Sequence, residues 1–276
     1  MDPVTRLFDD MAADYDRLEP WYEHLYARVH AIVRGTLGRS PSDATALDAG
    51  CGTGFQAAVL HDLGYRTHGV DVSAGLLGVA QRQLPKVAFA RGRLEALPYT
   101  DSAFDVVTCC GSTLSFVVEP AAAVRELGRV LRPGGRLLLE VEHKWSADLA
   151  WMAVSAATGD RLGYGVSVAT LWRALARPVD ESCVLPYPGY GALRLFTARE
   201  LAALLTGAGL AVTRTWGIHS ATGCLPSTVL HGGRLRGVLR PLYAALCVVD
   251  RWASRLPGAR GLASSLVVLA VKRDDV

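Results

Sequence analysis

The residues whose types and spacing most clearly suit chemistry are Leu47-Asp48-Ala49-Gly50-Cys51-Gly52-Thr53-Gly54. They end one apolar run and open the next. Glycines at such a place let the backbone turn tightly and approach a ligand without Cβ clashes. A helix that starts there offers free N–H groups to an anionic or polar ligand group. Asp71 ends the following apolar run, twenty-one residues after Gly50. A carboxylate in that place can accept both hydroxyl hydrogens of a ribose. Turn and carboxylate together predict a nucleoside-bearing cofactor.

The glycine spacing separates two cofactor classes. Dinucleotide sites use GxGxxG. Here the run is GxGxG, and Phe55-Gln56 stand where the third glycine of that pattern would fall. Taken alone, the run also suits an ordinary glycine turn between a strand and a helix.

The elements that must position these residues alternate in type. Residues 5–38 read as one helix, with apolar spacing at Leu18, Trp21, Leu25, Val29 and Ile32. Strands are expected at 45–49, 67–71, 87–90, 104–110 and 136–142, with helices at 55–63, 74–84 and 120–131. Strands apolar on both faces, alternating with helices, predict a parallel sheet covered by helices. The pattern fails over 144–193, where Pro186 and Gly191 stand near the end and an apolar helical piece surrounds Trp151. It resumes with a helix at 197–206 whose N-cap is Thr197, with Glu200 three residues on. A strand at 210–216, an irregular or helical stretch at 219–262 and a last strand at 265–272 complete the chain. No linker divides it. The expected organisation is a single domain over 1–276, with an N-terminal helical lid at 1–40 and cap insertions at 144–193 and 219–262.

The ordered motifs resemble the class I S-adenosylmethionine-dependent methyltransferase family, in its small-molecule branch. The resemblance rests on Leu47–Gly54 (LDAGCGTG), Val70–Ser73 (VDVS), Gly92–Phe104 (GRLEALPYTDSAF), Leu131–Gly135 (LRPGG) and Phe196–Gly209 (FTARELAALLTGAG). Phe8-Asp9 and Ala13-Asp14-Tyr15-Asp16 resemble that family's entry helix. The family implies a seven-stranded, mostly parallel Rossmann-like α/β sheet of order 3-2-1-4-5-7-6, its last strand antiparallel. It implies S-adenosyl-L-methionine as cofactor. It makes Tyr15, Asp48, Gly50, Cys51, Gly52, Gly54, Asp71, Val72, Arg93, Leu94, Glu95, Cys110 and Gly111 the candidate cofactor-binding residues. In that assignment the turn from Gly50 to Gly54 lies against the methionine part, Asp71 holds the ribose, and Arg93–Glu95 flank the adenine. Tyr15 closes over the site. One position departs from the family, which commonly has Asp where this chain has Arg93. Arginine has no acceptor for the adenine amino group. Either a backbone carbonyl takes over or Arg93 turns outward.

Methyl transfer needs an aligned acceptor lone pair and exclusion of water. A general base is needed only where the acceptor must lose a proton. Glu142 and His143, at the end of the fifth sheet strand, are the candidate proton acceptors, with His219 after the next strand as a further one. The competing reading makes Glu142 a loop cap and both histidines structural. His231 reads as structural. No two histidines have metal-ligand spacing, so no metal is expected. Trp145, Trp151, Trp172, Tyr164, Tyr190 and Phe196 crowd the cap region. They suit an apolar pocket wall or a cationic acceptor, and core packing equally.

Composition bounds the rest. The chain has 276 residues, 50% of them hydrophobic, and a formal net charge of +3. That excludes a disordered chain. No apolar window approaches the ~18–20 residues that span a bilayer, so no stable membrane insertion is expected. The first residues are acidic and carry no apolar core, unlike a signal peptide. The six cysteines show no CxxC spacing, so a reducing cytoplasm is expected. Residues 1–33 hold seven acids against three arginines, and 225–276 hold eight bases against three acids. Arg236 and Arg240 precede the apolar run 242–249. Core packing is the expected fate of that run, with a lipid-facing helix as the alternative. No dense basic track suits nucleic acid.

The expected function is methyl transfer to a small, apolar or aromatic metabolite, on O, N or C. The alternatives are an NAD(P)-dependent oxidoreductase on a similar sheet and a non-catalytic cofactor-binding module. The sequence leaves the oligomeric state open.

Overall fold

The structure, a computed structural model, describes residues 3–273 except 18, 42, 188, 189, 232–234 and 255. Two helices come first, α1 (Pro3–Met11) and α2 (Pro20–Leu37). The single helix expected over 5–38 is therefore corrected. Pro20 takes the first turn of α2, where its missing N–H costs nothing, and Glu19 is the extended N-cap.

The sheet alternates as anticipated, through β1 (Thr45–Ala49), α3 (Phe55–Asp62), β2 (Arg66–Asp71), α4 (Ala74–Gln83), β3 (Ala88–Arg91), β4 (Phe104–Cys109), α5 (Pro120–Val130) and β5 (Leu131–Glu142). β5 starts five residues before its expected position. Leu131 pairs with Phe104, and the register then shifts before Val106 meets Arg136. Gly134 and Gly135 sit in that irregular stretch.

The stretch from 144 to 195 holds α6 (Ala147–Ala157), α7 (Val168–Leu175) and a hairpin of β6 (Cys183–Tyr187) and β7 (Gly191–Leu195). The hairpin was not anticipated. It forms its own two-stranded sheet, so Pro186 meets the limit that confines proline to edge positions. After it come α8 (Ala198–Gly207), β8 (Leu210–Ile218), α9 (Ser227–His231), α10 (Leu239–Ala253), α11 (Pro257–Arg260) and β9 (Ser265–Lys272). The Thr197 side chain accepts from the Glu200 N–H at 3.1 Å, which starts α8.

The main sheet runs β3-β2-β1-β4-β5-β9-β8. Counting only its own seven strands, that order is 3-2-1-4-5-7-6. β9 is antiparallel to both of its neighbours, and β1 to β5 are mutually parallel. Strands buried on both faces explain the continuous apolar runs. On one face Leu47, Val107 and Leu139 pack with Val124 and Leu127 of α5 and Leu201 and Leu205 of α8. On the other, Ala46, Val106 and Leu138 pack with Leu25, Val29 and Val33 of α2 and Leu60 of α3. The crevice between these layers opens at the carboxyl ends of β1, β2 and β4, where the strand order reverses.

Helix α10 corrects a further expectation. Its apolar residues pack only in part, Tyr243 and Cys247 against Trp21 and Leu230. Leu242, Val248, Val249 and Trp252 are exposed, Trp252 at 71%, and only Tyr243 and Asp250 are buried. Among the described residues no helix is long and apolar enough to cross a membrane.

Candidate active site

The site begins with one carboxylate. Asp71 ends β2, and its two oxygens accept the N–H of Gly52 and the N–H of Ser73, each at 2.9 Å. Gly50 and Cys51 donate their N–H groups to the Val70 carbonyl at 2.7 and 3.0 Å. The turn after β1 is thereby tied to the end of β2. Gly50 has φ +75°, and a Cβ there would stand 2.2 Å from Thr113 Cγ2, so no other residue fits.

Asp48 works from beneath. It accepts the Ala57 N–H at 2.9 Å and the Thr108 hydroxyl at 2.9 Å, holding the first turn of α3 over β4. Burial pushes its carboxyl up to about 7 despite those bonds. Asp9 of α1 accepts from the Ser73 hydroxyl at 2.5 Å and the Gly75 N–H at 2.9 Å. That docks α1 on the start of α4, beside the crevice.

The crevice spans about 880 Å³, counting the space at its mouth that is open to solvent. Eleven of the thirteen candidate cofactor residues line it, namely Tyr15, Gly50, Cys51, Gly52, Asp71, Val72, Arg93, Leu94, Glu95, Cys110 and Gly111. Asp48 and Gly54 do not. Asp48 faces Thr108 and α3, and Gly54 (φ +97°) is the N-cap of α3 and packs toward Leu84. Both shape the turn from outside the crevice. Arg93 lies 3.6 Å from Glu95, its side chain half exposed.

The candidate proton acceptors lie outside the lining of the crevice. Glu142 is buried and accepts the Ser112 hydroxyl at 2.9 Å. Burial, and then the neighbouring Glu140, hold its carboxyl well above the usual range. The Nδ1 of His143 meets the Ala263 carbonyl at 2.9 Å. His219 stacks on Trp21 with ring centroids 3.7 Å apart, and its Nδ1 meets the Thr222 hydroxyl at 2.8 Å. Burial pulls both imidazoles below the usual histidine range. None of the three lines the crevice. A strand-end position did not suffice, because Ser112 holds Glu142, the Ala263 carbonyl holds His143, and Trp21 and Thr222 hold His219.

Other residues reach the crevice without a sequence signal. Gln56 lines it, is buried, and its Nε2 has no hydrogen-bond partner among the described residues. A buried amide donor without a partner is costly. Its position in the first turn of α3 was the only available clue. Aromatic side chains form a closed circuit at the mouth. Centroids lie 6.2 Å apart from Tyr15 to Phe8, 5.3 Å from Phe8 to Phe116 and 6.3 Å from Phe116 to Tyr190. The circuit continues at 5.7 Å from Tyr190 to Tyr22 and 6.2 Å from Tyr22 to Tyr26. Tyr26 and Tyr15 close it through a hydrogen bond between their hydroxyls. Beyond the circuit lies a second cavity of about 890 Å³, lined by Tyr15, Tyr22, Tyr26 and Tyr190 together with Asp10, Asp14, Arg17 and Glu19. Of the cap aromatics singled out by sequence, Tyr190 alone belongs to this circuit. The Trp151 indole donates to the Gly223 carbonyl at 3.0 Å, Phe196 is core, and Trp172 is exposed.

A parallel sheet with this glycine turn, a buried carboxylate at the end of β2 and a crevice at the switch point is the arrangement of nucleoside-cofactor-binding folds. Residues 47–139 match the protein family described as "Methyltransferase domain". The demethylmenaquinone methyltransferase of Renibacterium salmoninarum is 35% identical over 144 residues, covering 51% of this chain and 60% of that protein. The chain thus spans less than two thirds of that relative. A probable S-adenosylmethionine-dependent methyltransferase of Mycolicibacterium smegmatis is 26% identical over 213 residues, 77% of this chain and 70% of that protein. The Burkholderia thailandensis 1,6-didemethyltoxoflavin-N1-methyltransferase, solved with 1,6-didemethyltoxoflavin and S-adenosylhomocysteine, shares the fold at TM-score 0.56 and 20% identity, over 98% of this chain and 88% of that one. Residues 47–139 are thus similar to a methyltransferase domain, and both relatives are methyltransferases by name, the longer match an S-adenosylmethionine-dependent one.

The residues present fit that cofactor. Each Asp71 oxygen already takes one N–H and keeps a free lone pair for a ribose hydroxyl. The Gln56 amide offers a donor without a partner, suited to a carboxylate or carbonyl oxygen.

Proposed function

We propose that the chain methylates a small, apolar or aromatic metabolite with S-adenosylmethionine as methyl donor. The observation that carries this reading is the Asp71 carboxylate, fixed by Gly52 and Ser73 at the floor of a crevice whose mouth is aromatic. The cofactor supplies an activated methyl group on a sulfonium. The chain's part is positioning. Asp71 holds the ribose, the segment from Arg93 to Glu95 flanks the adenine, and the turn from Gly50 to Gly52 with Cys110 and Gly111 lies along the methionine chain. Gln56 donates to the cofactor's carboxylate. Phe8, Tyr15, Tyr26 and Phe116 close the crevice and exclude water. The relatives' small-molecule acceptors support the acceptor class.

Among the described residues that line the crevice there is no histidine, and its two carboxylates, Asp71 and Glu95, are given to the cofactor, so in this reading the chemistry rests on alignment. Domain roles follow the same reading, with α1 and α2 as lid and the regions 144–193 and 219–262 as cap. The cysteine usage suits a cytoplasmic enzyme.

Calorimetric titration with S-adenosylhomocysteine and with NADH tests this. Micromolar binding of the first and none of the second is expected. Tighter binding of NADH replaces the proposal with an oxidoreductase.

A further inference from the structure

Helix α10 makes its polar contacts inward and turns an apolar face outward. On the inner side the Tyr243 hydroxyl donates to the Pro20 carbonyl at 2.7 Å, His24 Nε2 meets Asp250 Oδ2 at 2.9 Å, and the Arg28 guanidinium donates to the Ser254 hydroxyl at 3.0 Å. These contacts fix α10 along α2. On the outer side Leu242, Val248, Val249 and Trp252 are exposed. At 3.6 residues per turn they fall in one stripe about 120° wide. Val238 and Leu256, also exposed, flank its two ends.

The charge around the stripe has one sign. Arg240 and Arg251 are both exposed and stand three turns apart on the same flank of the helix. Between residues 235 and 273 the sequence has one acidic residue, Asp250, and it is fully buried against His24.

We propose that α10 docks the protein on an anionic membrane surface, with its apolar stripe at headgroup depth and Arg240 and Arg251 on the lipid phosphates. A helix of this kind binds by the apolar area it buries and by attraction of its basic residues to anionic lipid. Trp252 suits that depth, where amphipathic rings collect. The helix has 15 residues and its inner side is held on α2, so it lies along the surface rather than across the bilayer. Two other occupants fit less well. None of the stripe residues lines the crevice or the outer cavity, so neither hollow adjoins the stripe to receive the anchor side chain of a protein partner. A second copy docked through the same face would bring the arginines of both chains together, with no exposed carboxylate of this segment to pair them. The docking face adjoins the lid helix that carries Tyr22 and Tyr26. It involves no crevice residue, so the proposal stands independently of the methyl-transfer reading.

Co-sedimentation of the full chain with vesicles tests it. Vesicles of phosphatidylglycerol and phosphatidylcholine in equal parts are expected to bind at least tenfold more strongly than phosphatidylcholine alone, and the difference should shrink as added salt screens the arginines. Leu242→Ser combined with Trp252→Ser should weaken binding to the anionic vesicles at least tenfold. Arg240→Gln combined with Arg251→Gln should bring the two vesicle types within about threefold of each other. Both double variants should keep the melting temperature and the S-adenosylhomocysteine affinity of the unaltered protein, because the four side chains are exposed and outside the crevice. Equal binding of the two vesicle types, binding of neither, or binding that the Leu242 and Trp252 substitutions leave unchanged overturns the proposal. A lipid-free dimer that Trp252→Ser dissociates gives the face to a second copy and overturns it as well.

Discussion

The Asp71 carboxylate accepts the Gly52 N–H at 2.9 Å, and so one side chain at the end of β2 sets the shape of the turn that follows β1. The same group is proposed to hold the ribose. Structure and binding are therefore coupled at this residue. Asp71→Ala is expected to weaken S-adenosylhomocysteine binding by more than tenfold and to lower the melting temperature as well. Asp71→Asn keeps one accepting oxygen and should lose less on both counts. Calorimetry and thermal melts read the two effects, and an unchanged affinity in Asp71→Ala removes it from the site.

Gly50 separates close approach from backbone strain. Gly50→Ala forces a left-handed residue and a 2.2 Å contact with Thr113. Gly165 also has positive φ, at +67°, but nothing lies within 4 Å of its Cβ position. Gly165→Ala should cost only the backbone term, about 1 kcal/mol. Gly50→Ala should cost several times that and abolish cofactor binding. Equal losses in urea-unfolding midpoints would show that the Thr113 contact yields freely.

Glu140 makes stability depend on pH. It is fully buried, its Oε2 accepts the Ser112 N–H at 2.6 Å, and its Oε1 has no partner among the described residues. Burial pushes its carboxyl up to about 7. A folded-state value above the unfolded one means the folded protein holds the proton more tightly. The contribution is fully present below the ordinary carboxylate range and fades as pH rises toward and past 7. Glu140→Gln stays neutral throughout. It should therefore be more stable relative to the unaltered protein at pH 8 than at pH 5, as urea midpoints at the two values would show. The same difference at both values contradicts a buried, protonated Glu140.

The two histidines first considered as bases should separate in their effects. His143→Ala is expected to leave cofactor affinity and turnover within about twofold, since its Nδ1 meets the Ala263 carbonyl and its ring does not line the crevice. His219→Ala removes the ring stacked on Trp21 and should destabilise the fold by about 1–3 kcal/mol. A collapse of turnover in folded His143→Ala would return it to the chemistry.

What the sequence made legible was local. The segment 47–54 and Asp71 carry their own conformational demands, and those demands placed the crevice. The alternation of apolar runs placed the sheet, because a parallel strand must be apolar on both faces. Contacts between distant segments were not legible. Phe8, Tyr22, Tyr26, Phe116 and Tyr190 have no mutual spacing in the chain, and only the docking of α1, α2 and the β6–β7 hairpin brings their rings together. Gln56 was invisible for a related reason, since a polar residue in a helix's first turn is ordinary until its amide proves to be buried without a partner. The outward face of α10 shows the same limit, because an apolar stripe does not say which neighbour covers it. Glu142 and His143 show it too. Glu142 ends β5 and His143 follows it, but side-chain direction depends on the packing of Ser112 and Ala263 against them.

The central claim is that Asp71 and the glycine turn hold S-adenosylmethionine with its reactive end toward the tyrosines. A crystal structure with S-adenosylhomocysteine tests it most directly. The account predicts both ribose hydroxyls on the Asp71 carboxylate, the amino-acid carboxylate within reach of Gln56, and the sulfur facing Tyr15 and Tyr26. A ribose bound away from Asp71, or a sulfur turned from the two tyrosines, would contradict it.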